Sequence, residues 1–165
     1  MSDLLTSNPS RYGIFPIQHN DIWKMYQKQL NLFWRPEEID LINDVQDWKI
    51  LKVDEKWFIS LILAFFSASD GIVLENLSLK FMGEVQVAEA RAFYGFQVAM
   101  ENIHSHTYSL LIDSLIKDEL LRNKLFNSID NFPCIEKKTL WTQKWIDETI
   151  NDFPTRLVGL VCVKG

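Results

Sequence analysis

The residues with the clearest chemical capacity are Glu101, His104 and Tyr108, in the string Glu101-Asn102-Ile103-His104-Ser105-His106-Thr107-Tyr108. Apolar residues flank it, with Phe93, Tyr94, Phe96, Val98, Ala99 and Met100 before and Leu110, Leu111 and Ile112 after, so the string reads as part of a long, partly buried helix. At about 100° per residue the three side chains fall within an arc of roughly 60° and face one site. Helical side chains lean toward the N-terminus, which brings the Tyr108 ring back toward the Glu101 and His104 pair. Oxygen and imidazole donors together suit a divalent transition metal. The spacing alone also fits a solvated Glu beside a hydrogen-bonded His. Asp70 shifts the balance, because it follows Leu61-Ile62-Leu63-Ala64-Phe65-Phe66-Ser67-Ala68-Ser69 and precedes Gly71-Ile72-Val73. A carboxylate in so apolar a helix is costly to bury unless it is paired, neutralised or bound to a cation. One metal site shared by two helices accounts for both segments.

Those helices need neighbours. Residues 20–33 carry apolar positions at helical spacing, with Asn20 or Asp21 as a cap. A shorter helix is predicted to start at Arg35-Pro36-Glu37-Glu38, where Pro suits a first turn and the acids suit the positive end of the dipole. Asp54 is expected to cap a long helix reaching Phe81, and another runs from about Val85 to Ile116. Lys137 to Thr149 and Pro154 to Gly165 also read as helical, after a break at Asn131-Phe132-Pro133. No stretch alternates as a strand does. The predicted fold class is all-α, a helical bundle.

With 165 residues, 47% of them hydrophobic, the chain suits one domain with a sizeable core. Its 22 acidic and 17 basic residues are spread without blocks, which argues against nucleic acid as a partner. Cys134 and Cys162 lie far apart and form no metal-binding spacing, so a reducing, cytoplasmic setting is expected. The first residues lack the basic and apolar regions of a signal peptide. The apolar run Phe58 to Phe66 is shorter than the ~20 residues that span a bilayer, so no membrane partner is expected. The expected organisation is an extended N-terminal segment over 1–19 and a helical domain over 20–165.

A Glu-x-x-His on each of two helices, with a carboxylate from each of two others, is the arrangement of ferritin-like di-metal bundles. The resemblance becomes specific in Leu63-Ala64-Phe65-Phe66-Ser67-Ala68-Ser69-Asp70-Gly71-Ile72-Val73, in Glu89-Ala90-Arg91-Ala92-Phe93-Tyr94-Gly95-Phe96-Gln97 and in Glu101-Asn102-Ile103-His104-Ser105. These strings resemble the eukaryotic and viral small subunits of class I ribonucleotide reductase, as do Phe15-Pro16-Ile17, Asp21-Ile22-Trp23-Lys24-Met25-Tyr26 and Tyr108-Ser109-Leu110-Leu111-Ile112-Asp113. The likeness runs from about Asn8 to the last residue and corresponds to the N-terminal half of such a subunit. It implies a partial ferritin-like bundle in which Asp70, Glu101 and His104 ligate iron, or manganese in some relatives. It also implies that Tyr108 holds a stable radical and that Trp48 relays an electron toward the large subunit. From the residues alone, Trp48 is not distinguished from Trp34 or Trp57.

The implied activity is ribonucleoside-diphosphate reduction to deoxyribonucleotides, an oxidoreductase reaction serving DNA replication. Its implied partners are the large subunit and a second small subunit, in a homodimer or heterodimer. The family site needs six protein ligands, and its second Glu-x-x-His corresponds to sequence past residue 165. His19 and His106 do not replace it, since His106 sits roughly 200° around the helix from His104. The family usually has Glu at the position of His106, and Lys164 stands where it presents its next bridging Glu. A cation there either opposes a second metal ion or, where the last residues depart from the family pattern, faces solvent. The alternative reading is a degenerate small subunit without a complete metal site, serving as a non-catalytic dimerisation or folding partner. A chain of this kind is expected to expose apolar helix faces and to self-associate.

Overall fold

The computed structural model describes the backbone of residues 2–164 and the side chains of residues 4–163. Among them the regular elements are all helical. The N-terminal segment, expected to be extended, holds a helical turn at Ser2–Leu5 (α1) and a 3-10 turn at Pro9–Tyr12. Asn20–Leu30 (α2) follows, then a 3-10 turn at Pro36–Glu38. The short helix expected from Arg35 begins later, at Ile42–Ile50 (α3), because Pro36 and the two acids close only a single tight turn ending at Ile39.

Val53–Asn76 (α4) starts one residue before Asp54. Its end is closed by Glu55, whose Oε2 accepts the Lys52 backbone N–H at 2.7 Å, so Asp54 supplies charge within the first turn and is not the cap. The helix passes through a π-helical turn at Leu77–Phe81 into Met82–Glu84 (α5). Together Val53–Glu84 is long and apolar enough to cross a membrane by length and composition. This corrects the length expected from Phe58–Phe66 alone, a run that includes Ser60 and ends before Ser67. In the fold this helix carries Asp70, 6% exposed, toward other polar side chains.

Ala88–Leu115 (α6) is the second long helix. Glu119–Phe126 (α7), capped by the Asp118 carboxylate accepting from Leu121 N–H at 2.9 Å, and Ser128–Asn131 (α8) were not anticipated. Pro133–Ile146 (α9) starts four residues ahead of the predicted Lys137 because Pro133 occupies its first turn. Phe153–Lys164 (α10) ends the described chain.

The helices α4 and α6 run antiparallel, and the core divides into two clusters along them. One gathers Val73, Leu77, Phe81, Val85, Val87, Ala90, Phe153 and Leu160. The other gathers Leu63, Ala64, Ile112, Leu115, Ile116, Leu125 and Ile135. Both clusters draw on α4 and α6, so the polar residues between Ala64 and Val73 and between Ala90 and Ile112 meet at the seam.

Candidate metal centre

Asp70 reaches the seam from the middle of α4, while Glu101 and His104 reach it from one face of α6. One ligand-type atom from each of the three lies within 4.8 Å of the others. Asp70 and Glu101 are buried, and His104 is half-buried. The His104 Nδ1 lies 3.4 Å from Glu101 Oε2, an i,i+3 pair on one helical face. The fold thus brings together all three residues that the sequence named.

Two carboxylates this close and this buried disfavour each other's charged form, whereas a divalent cation among them is stabilised by both. The donor set of two oxygens and an imidazole suits iron or manganese. The residues present thus fit the metal that the resemblance implies.

Tyr108 stands one helical turn beyond His104. Its ring stacks on Phe66 at 5.3 Å between centroids and 15° between planes. Burial, and then the charges of Asp70 and Glu101, push its phenol above the usual tyrosine range. The phenol is therefore neutral at physiological pH and electrostatically close to both carboxylates. His106 is exposed on the other side of α6. The side chain of Lys164 lies outside the described residues.

The tryptophans separate in space. Trp48 is half-buried on α3 and packs against the Leu63–Ile112 cluster, where Tyr108 also packs. Trp34 lies over the His104 imidazole, with centroids 5.7 Å apart and planes 32° apart. Of the tryptophans considered from sequence, Trp34 is the one in ring contact with the three-residue group. No local pattern distinguishes it, because the contact joins residues 70 positions apart in different elements.

Two further polar arrangements frame the site. The Glu89 Oε1 accepts the backbone N–H groups of Gln18 at 2.6 Å and His19 at 3.1 Å. Burial raises the Glu89 pKa, but the hydrogen bonds from Gln18, its own N–H and His19, with the His19 charge, hold it below the ordinary value. At the far end, Arg156 of α10 donates through both Nη atoms to the Glu84 carboxylate, at 2.7 and 2.5 Å. Both pairs were missed in the sequence, where each looks like an ordinary helix-terminal charge.

Residues 11–165 match the family model described as ribonucleotide reductase, small chain. The chain is 57% identical over 163 residues to a ribonucleoside-diphosphate reductase small chain of Neurospora crassa, covering 98% of this chain and 40% of that one. It is 53% identical over 165 residues to the small chain of Monkeypox virus, covering 100% and 51%, and 55% identical over 162 residues to that of Nicotiana tabacum, covering 98% and 49%. Among solved structures, the ribonucleotide reductase Rnr4 homodimer from Saccharomyces cerevisiae aligns with a TM-score of 0.81 at 35% identity, covering 94% of this chain and 49% of that one. The R2 subunit from Clostridium botulinum, at 21% identity and a TM-score of 0.83, shares the fold over 98% of this chain and 51% of its own. The chain thus spans about half the length of the relatives it matches. A helical bundle with two carboxylates and an imidazole converging at its seam, matched to this family along almost its whole length, belongs to the ribonucleotide reductase small-chain family.

Proposed function

We propose that this chain carries the first half of the metal and radical centre of a ribonucleoside-diphosphate reductase small subunit, acting in the cytoplasm on behalf of a large subunit that reduces the ribonucleotide. The observation that carries this reading is the convergence of Asp70, Glu101 and His104 within 4.8 Å, with Tyr108 next along the same helix face. Asp70, Glu101 and His104 would hold iron. Iron, with dioxygen as oxidant, would supply the one-electron oxidation of the Tyr108 phenol.

The chain's own residues prepare that step. The two carboxylates raise the Tyr108 pKa, so its Oη keeps its proton until an electron leaves. Phe66 covers one face of the ring, and the apolar cluster around Tyr108 limits access of water and reductants that would quench a radical. Electron transfer toward the large subunit needs an aromatic side chain against the site. Trp34, in ring contact with His104, supports that role by geometry more directly than Trp48, the position the resemblance pointed to. Pairing with a second small subunit is part of the proposal, since the aligned yeast protein is a homodimer.

The test is iron binding and electron-spin resonance after oxygen exposure, for the wild type and for Tyr108→Phe, Trp34→Phe and Trp48→Phe. Bound iron with a tyrosyl signal absent only from Tyr108→Phe supports the centre. Loss of reductase activity in Trp34→Phe, with its radical retained and Trp48→Phe active, assigns the relay when the chain is assayed with the large subunit. Absence of stoichiometric iron overturns the reading in favour of a non-catalytic partner.

A further inference from the structure

Three contacts spread along the N-terminal region and α6 share one offset. His19 meets Glu89, Tyr26 meets Phe96 and Trp34 meets His104, each pair 70 residues apart. The chain from His19 through α2 to Trp34 therefore runs parallel to α6, whose partner residues Glu89 to His104 span 15 residues, about 22 Å at 1.5 Å per residue. Intermediate contacts are aromatic: Trp23 on Tyr26 at 5.2 Å, Tyr26 on Phe96 at 6.4 Å and Phe33 on Phe96 at 6.3 Å. Such contacts are broad and tolerate sliding by a fraction of a helical turn. The polar contact at the start does not. Glu89 is 3% exposed, and its Oε1 takes two adjacent backbone N–H groups at once. A slip of one residue would leave a buried carboxylate without those donors, a large penalty for a charged group.

We infer that Glu89 is a positioning residue for the metal centre: by fixing the chain just ahead of α2 to the first turn of α6, it sets the register that lays Trp34 over His104. The inference rests on His104 and Trp34 belonging to the functional site. The geometry it predicts is nevertheless present without metal. Glu89 touches neither Trp34 nor His104 and acts through α2, whose backbone hydrogen bonds are internal, and through the turn after it, where Leu32 N–H donates to Gln29 O at 3.0 Å and Phe33 N–H to Leu30 O at 3.3 Å. The register in turn decides whether an indole or an open gap covers the half-buried imidazole.

The test uses the full chain labelled with 5-fluorotryptophan, with the six fluorine resonances assigned by single Trp→Phe variants. The Trp34 resonance reports its seat over the imidazole. In Glu89→Ala it should lose most of its displacement from the solvent-exposed position, while Trp57 on α4 and Trp145 on α9 keep theirs. In Glu89→Gln, whose amide oxygen still accepts both N–H groups, Trp34 should stay close to its wild-type position. An unmoved Trp34 resonance in Glu89→Ala overturns the inference, and so does a shift of all six resonances in both variants, which marks general loss of fold. A cobalt(II) titration of the same samples reads the metal site separately. A chain that binds no cobalt but shows the expected fluorine shifts refutes the metal reading and leaves the register role standing.

Discussion

Asp70, Glu101 and His104 carry opposite consequences for binding and for stability. Asp70→Asn removes one anionic donor from the proposed metal site and should weaken metal binding by more than about a hundredfold, beyond the 10–100-fold produced by losing a supporting contact. The same change relieves the crowding of two buried carboxylates, so the melting temperature of the metal-free protein should not fall. Isothermal titration with manganese and a thermal melt measure the two effects on one sample, and a fall in both would make Asp70 a structural carboxylate. Glu89 is tuned the other way. Its folded pKa lies below the ordinary 4.5, so its stabilisation is fully present above the unfolded value and is lost as pH falls through the depressed folded value. The side-chain carboxyl carbon resonance of Glu89 should therefore hold its position from neutral pH down to the ordinary glutamate range and complete its titration only below it. A titration midpoint above 4.5 would contradict that assignment.

At the scale of elements, the seat of α10 decides how the far end of the bundle closes. Gly159 faces Trp145, and a Cβ at that position would lie 3.0 Å from the Trp145 Cβ and 3.3 Å from its carbonyl oxygen. The opposing backbone cannot retreat without moving α9. Gly159→Ala should thus cost about 1–3 kcal/mol, visible as a fall of several degrees in the thermal midpoint. Nearby, Arg156 is held by Glu84 and lies against Phe81 and Phe153, with ring-centroid distances of 5.6 and 5.8 Å. Arg156→Met leaves the Glu84 carboxylate, 33% exposed, without its partner and should cost about 1–2 kcal/mol. The double change Arg156→Met with Glu84→Met should recover part of that loss. Denaturant melts of the three variants check this, and strictly additive effects would mean the pair is not coupled.

Taken whole, the molecule leaves apolar surface uncovered. Phe58, Ile62 and Phe66 form a row at four-residue spacing along α4, exposed by 64%, 36% and 40%, and the row leads to Asp70. Exposed apolar rows of this kind mark surfaces that pack against other helices. The chain should therefore self-associate at micromolar concentration, and Ile62→Lys should shift it toward monomer. Sedimentation velocity measures both, and a wild-type monomer at all concentrations would refute the expectation.

The sequence by itself determined the all-helical class, the two long helices and the three residues, Asp70, Glu101 and His104, that meet at the seam. Helical periodicity fixes which side chains share a face, and a carboxylate in an apolar run is informative wherever it occurs. It misplaced the starts of α3, α4 and α9 by a few residues, because Pro36, Pro133 and Glu55 act through local hydrogen bonding and first-turn geometry that periodicity does not resolve. Only the tertiary structure decided which tryptophan touches the site, and it also revealed the Glu89 contact and the Arg156–Glu84 pair. Each joins residues about 70 positions apart, and such contacts depend on how helices are laid side by side. That arrangement is set by packing of the whole core and leaves no trace in the spacing of residues along one helix.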